Sequence, residues 1–130
     1  MKIGNRQIGS SHPPYIIAEI GVNHDGSVER AKELIHAAKA AGADAVKTQW
    51  FRARLLLSKA ARLAECQAEA GAEDPFAMLE SLELDESAMR EIVEEAQRLG
   101  LHAIVTVFSI ELVQHAALLD VLQEIRLAEF

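Results

Sequence analysis

Cysteine is almost missing: Cys66 is the one thiol in 130 residues. One thiol forms no internal disulfide and no cysteine-only metal site, so a cytoplasmic setting is expected. Long apolar runs are missing too. No stretch approaches the roughly 20 apolar residues of a membrane span, and the opening Met1-Lys2-Ile3-Gly4-Asn5-Arg6 turns polar at once, unlike a signal peptide. Positive charge is in deficit, with 13 basic against 20 acidic residues and a net charge of −7. Such a chain repels phosphate backbones and anionic lipid, so neither nucleic acid nor membrane is expected as a partner. An anionic small substrate stays open, since a few lysines or arginines create a local positive site. Aromatics are scarce, while half the residues are apolar and a quarter charged, the balance of an ordinary soluble domain. No G-x-G-x-x-G or P-loop cradle, internal repeat or low-complexity segment occurs.

What is present alternates between two periods. Lys2 to Gly9 reads as a small hairpin around Gly4-Asn5. The apolar run Tyr15-Ile16-Ile17-Ala18-Glu19-Ile20 suits a strand buried on both faces, interrupted by one carboxylate. A turn-rich Gly21-Val22-Asn23-His24-Asp25-Gly26 follows. A helix capped by Ser27 should run to Ala41, with Ala31, Leu34, Ile35, Ala38 and Ala41 as its apolar stripe and Gly42 as its terminator. Ala45-Val46-Lys47-Thr48-Gln49-Trp50 is the second strand. Residues 51–83 are less regular, with a helical stretch over 54–69 and a short helix over 76–81; as an insertion after a strand, this region is a place for function. Asp85 caps the next helix, Leu84 and Met89 form a hydrophobic staple, and Met89, Ile92, Val93, Ala96 and Leu99 its stripe. The charged residues of 91–98 are its solvated face. Residues 102–108 are the third strand, and Ser109 caps a third helix to about Leu122. This β-α-β-α-β-α order calls for a parallel sheet with right-handed crossovers.

Residues two apart in a strand share a face. Glu19, Lys47 with Gln49, and Thr106 therefore stand near the C-terminal ends of successive strands, where parallel α/β folds bind ligands. A buried unpaired charge costs several kcal/mol, so Glu19 and Lys47 pair with each other or with a ligand, or Lys47 snorkels to solvent. Gln49 either meets a ligand or satisfies loop amides, and Thr106 is also a normal strand former. Asn23-His24-Asp25-Gly26 either positions a substrate or is only a turn. No His, Asp or Glu set has metal-site spacing, and Cys66 reads as helix packing.

The run Pro14-Tyr15-Ile16-Ile17-Ala18-Glu19-Ile20-Gly21-Val22-Asn23-His24-Asp25-Gly26 closely resembles the N-terminal signature of the N-acetylneuraminate (sialic acid) synthase family. The likeness continues through Ala31-Lys32-Glu33-Leu34-Ile35, Ala40 to Lys47, Gln49, Asp74-Pro75-Phe76 to Leu84, and Thr106 with Phe108. The resemblance implies a (β/α)8 TIM barrel followed by a small antifreeze-like domain, in a homodimer. A closed barrel needs ~250 residues. The expectation is thus a partial barrel, its first three to four βα units behind an N-terminal β-hairpin, with the C-terminal half-barrel and antifreeze-like domain absent.

The implied reaction joins C3 of phosphoenolpyruvate to the aldehyde of an open-chain N-acetylated amino sugar. Water adds at C2 and phosphate leaves with C–O cleavage, helped by manganese or magnesium as a Lewis acid. By position, Lys47 would bind phosphoenolpyruvate, Glu19 would order water or move a proton, Gln49 would hydrogen-bond the sugar, and Thr106 would line the phosphoenolpyruvate pocket; Asn23 is a further substrate-binding candidate. The family's metal-binding histidines belong to later strands. Two departures stand out: Arg126 where a strand-four lysine is usual, and Trp50 where a small hydroxyl residue is common, which leaves the sugar preference open. Alternatives are a catalytically inactive half-barrel serving binding or assembly, and another phosphoenolpyruvate-aldol barrel making a 3-deoxy sugar acid phosphate. The Ala18 to His24 run argues against the last.

Overall fold

The computed structural model of the chain describes residues 1–56, 75–119 and 122–125. A two-stranded hairpin, β1 (Lys2–Ile3) and β2 (Arg6–Gln7), opens it in antiparallel register. Strand β3 (Ile17–Gly21) follows, then helix α1 (Val28–Ala40), strand β4 (Ala45–Trp50) and a short α2 (Ala53–Leu56). After residue 74 come α3 (Pro75–Ser81), α4 (Glu86–Arg98), β5 (His102–Val107), α5 (Ile110–Ala117) and β6 (Leu122–Ile125). The strands pair in parallel in the order β3-β4-β5-β6. Sequential parallel pairing through helical crossovers is the expected partial-barrel arrangement.

The caps explain where the helices start. Ser27 Oγ accepts from the Arg30 amide at 3.2 Å, and Asp85 Oδ1 from the Ala88 amide at 2.7 Å. Gly42, at φ +84°, takes the left-handed conformation that closes α1. Ser109 holds the N-cap position of α5, but its hydroxyl makes no capping bond. That helix is shorter than its sequence pattern suggested. It ends at Ala117, and Leu122–Ile125, expected at the helix end or beyond it, pairs with β5 as a fourth strand. The first strand likewise begins at Ile17 rather than Tyr15. The expected helix over 57–69, with Cys66, and Arg126 fall outside the described residues.

The core lies on one side of the sheet. Ile20, Val46, Trp50, Ala103, Val105 and Val107 point to the helices and meet Ala31, Ile35 and Ala38 of α1, Met89, Ile92, Val93 and Ala96 of α4, and Leu112 and Ala116 of α5. The staple residues Leu84 and Met89 are both buried. Burial of this order stabilises by about 25 cal/mol per Å2 of apolar surface. The other side of the sheet carries Ile17, Glu19, Lys47, Gln49, Ile104 and Thr106, all on one face by parity and register. Ile17 is 47% exposed there. In this chain the first strand is covered on its helix-facing side, and its Ile17 side is open.

The N-terminal ends of the strands are tied to the hairpin. Arg6 Nη1 meets Asp44 Oδ1 at 2.7 Å, Asp44 Oδ2 accepts from the Ile16 amide at 2.8 Å, and Tyr15 Oη shares a 2.5 Å hydrogen bond with His102 Nδ1. Burial, and then the nearby Asp44 carboxylate, push the Tyr15 hydroxyl above its ordinary pKa.

Candidate active site

Strand register brings the predicted residues to one place. Glu19 sits directly beside Lys47, and Gln49 directly beside Thr106. Lys47 Nζ lies 2.9 Å from Glu19 Oε2. The Lys47 side chain is 21% exposed and that of Glu19 44%, so water reaches the pair and its own stabilisation is about 0–1 kcal/mol. In the chain itself the two side chains pair with each other. The solvent-facing side of this pair stays accessible to a ligand. Thr106 is 2% exposed and sits between Gln49 and the Leu122–Ile125 strand.

The register slips between Glu19 and Gly21, leaving Ile20 as the extra residue of a bulge. Gly21 turns to φ +37° there, and its amide donates to Glu19 Oε1 at 2.8 Å. Each carboxylate oxygen of Glu19 thus has its own donor, one from the backbone and one from Lys47. Sequence reasoning passed over Gly21 as a loop glycine. A glycine two residues after a strand-end carboxylate was the available signal.

The turn that follows places its residues differently. Asn23 is exposed, and its amide closes the turn onto the Ile20 carbonyl at 3.1 Å. Its side chain makes no hydrogen bond to Glu19 or Lys47. His24 is fully buried, and its Nδ1 accepts from the Gly26 amide at 3.0 Å. That bond leaves the ring proton on Nε2, which has no hydrogen-bond partner among the described residues. Burial lowers the His24 pKa, with Asp25 pulling the other way, so the ring is neutral at pH 7.

Trp50 points away from this face. It is 1% exposed among the helices, and its indole donates to the Leu84 carbonyl at 3.0 Å, a carbonyl that Arg52 Nη1 also reaches at 2.9 Å. A cavity of about 140 Å3 beside it, lined by Arg52, Glu86, Glu111 and His115 among others, lies on the helix side. Its departure from the family pattern is therefore a matter of packing, not of the polar face.

The residues present do not fit a metal ion on their own. Among the described residues no group of three or more His, Cys, Asp or Glu could hold one. His24 has one nitrogen engaged and the other protonated and enclosed. No helix among the described residues is long and apolar enough to cross a membrane.

Parallel strands paired in chain order through helical crossovers, with an acid, an ammonium and an amide collected toward their C-terminal ends, have the arrangement of the TIM-barrel class of proteins. More narrowly, residues 34–124 match the NeuB family, and the chain belongs to that family. It is 44% identical over 107 residues to the N,N'-diacetyllegionaminic acid synthase of Legionella pneumophila, covering 81% of this chain and 30% of that protein. The corresponding synthase of Campylobacter jejuni is 38% identical over 117 residues, covering 88% and 33%. The chain thus spans about a third of the length of these relatives. In fold it superposes on the N-acetylneuraminic acid (sialic acid) synthetase of Leptospira borgpetersenii with a TM-score of 0.74 at 24% identity, over 93% of this chain and 38% of that one. A spore coat polysaccharide biosynthesis protein of Bacillus subtilis gives 0.63 at 30% identity, over 90% and 31%.

Proposed function

We propose that this chain supplies one wall of the active site of a synthase that condenses phosphoenolpyruvate with an N-acetylated amino sugar, giving a nonulosonic acid of the sialic type and phosphate. The observation that carries this reading is the Glu19–Lys47 pair on the open face of the sheet, next to Gln49 and Thr106. The names of the relatives, synthases of legionaminic and sialic acids, support it.

In this reading Lys47 holds the phosphoenolpyruvate anion as a fixed positive charge. A bond forms between C3 of phosphoenolpyruvate and the aldehyde carbon, whose oxygen gains a proton. Water then adds to the cationic C2 and loses a proton. The resulting C2 hydroxyl gives its second proton to the departing phosphate as the C2–O bond breaks, leaving a C2 ketone and inorganic phosphate. Glu19 is fixed beside Lys47 to orient that water and accept its proton. Gln49 hydrogen-bonds the sugar, and Thr106 lines the phosphoenolpyruvate pocket. Asn23 joins the sugar side only if its loop closes over the substrate. The rest of the barrel, an antifreeze-like domain and a homodimer complete the site in a cytoplasmic enzyme. A divalent cation, manganese or magnesium, takes its ligands from outside the described residues.

The test is phosphate release by the full-length gene product from phosphoenolpyruvate, with N-acetylmannosamine and related sugars plus Mn2+. Lys47→Ala should lower kcat/KM by about 100-fold or more, the scale of losing one charged stabilising group. No release with any sugar, or an unimpaired variant, would overturn the reading and favour a binding or assembly role.

A further inference from the structure

Gly21 is the residue on which the orientation of Glu19 turns. In the bulge its backbone swings to φ +37°, which aims the amide back along the strand at Glu19 Oε1, 2.8 Å away. The other oxygen, Oε2, is held by Lys47 at 2.9 Å. One donor on each oxygen orients the carboxylate, although its side chain is 44% exposed. The space is as restrictive as the bond. A β-carbon at position 21 would lie 3.2 Å from Glu19 Oε1 and 3.6 Å from Gln49 Nε2. The first distance is tighter than normal packing accepts, so the carboxylate would have to move by a few tenths of an ångström.

We propose that Gly21 is a positioning residue: its amide and its missing β-carbon together set the direction of the Glu19 carboxylate toward the reacting atoms. This rests on the synthase reading above, in which Glu19 handles the water. Any side chain at position 21 pivots the carboxylate about its remaining tether on Lys47. The lysine stays in place, so binding of phosphoenolpyruvate persists while turnover falls.

The test is a mutant cycle in the full-length protein with Gly21→Ala, Glu19→Ala and the double variant. Gly21→Ala should lower kcat by about tenfold or more, as small misplacements at a reacting centre do, with KM for phosphoenolpyruvate changed by less than about threefold. In the Glu19→Ala background no oxygen remains to be displaced, so Gly21→Ala should add less than about twofold. Equal losses in both backgrounds would show that Gly21 acts on the fold alone and would overturn the proposal. Gly21→Asn is the second variant, because asparagine tolerates positive φ better than alanine and carries the same β-carbon.

One readout does not need turnover. The infrared difference between the unsubstituted protein and Glu19→Ala isolates the Glu19 carboxylate stretch, which must shift in Gly21→Ala or Gly21→Asn. An unmoved band would also overturn the proposal. If the full-length protein releases no phosphate with any sugar, the synthase reading fails, and the infrared comparison still decides whether Gly21 sets Glu19.

Discussion

Trp50 shows how far one side chain's direction decides its meaning. It directly follows Gln49, which faces the open side, yet the two-residue period of a strand turns Trp50 into the helices. Replacing it by the small hydroxyl residue common in the family should therefore act on stability. Trp50→Ser should cost about 3–5 kcal/mol, the range for emptying a large core site; the Leu84 carbonyl keeps its bond from Arg52. Urea denaturation measures the loss, and KM for the sugar should change by less than about twofold. A large KM effect with little loss of stability would place Trp50 in the sugar site instead. Strand parity is also what made Glu19, Lys47, Gln49 and Thr106 legible as a group, because period two survives in any strand whatever lies around it. The Gly21 amide was not legible. A bulge is a property of two strands in register, and one strand's sequence does not contain it.

Among the described elements, α4 is held from both sides by polar side-chain contacts. Lys32 of α1 meets Glu91 at 2.9 Å and His36 meets Glu95 at 2.6 Å, while His115 of α5 meets Glu86 at 2.8 Å. The residues of 91–98 that read as a solvated face thus also reach across to α1. A helical-wheel argument sees the amphipathic split but not which neighbour stands at its rim. Arg98 first, and then His36, hold the Glu95 carboxyl down from the ordinary 4.5 to about 2. A depressed carboxylate contributes stability above its unfolded value and loses it as pH falls toward its folded one. The contribution of Glu95 should therefore fade between about pH 4.5 and about 2. Denaturation midpoints across that window should drop less steeply in Glu95→Gln than in the unsubstituted protein. Parallel slopes would mean that Glu95 adds nothing to the acid limb. The ends of the elements are legible only where local bonds set them. Ser27 and Asp85 announce their helices through local bonds, whereas α5 stops early because Leu122–Ile125 is drawn into pairing with β5, a long-range contact that outweighs local helical preference.

At the scale of the whole molecule, the sheet has a covered face and an open one. The helices bury Val46, Trp50, Ala103, Val105 and Val107, whereas Ile17 stands half exposed beside the Glu19–Lys47 pair. Among the described residues β3 and β6 each have one neighbouring strand, so each leaves a row of backbone donors and acceptors on its far side. Exposed parallel edges beside apolar surface are templates for pairing with further strands. In a closed barrel the remaining strands take those bonds, and the charged face turns into an enclosed pocket with a lower effective dielectric. On the proposed synthase reading, a pair of little energetic weight on an open sheet gains weight in such a pocket, because withdrawal from water would strengthen the hold of Lys47 on an anion and fix Glu19 more firmly. The 130-residue chain alone should then self-associate through its edges at roughly micromolar to millimolar concentration, and should release no phosphate. Light scattering over a dilution series measures this. A mass that grows with concentration is the expected outcome; a monomer throughout would mean that the edges are already protected and that the open face is a surface the isolated chain can carry in water.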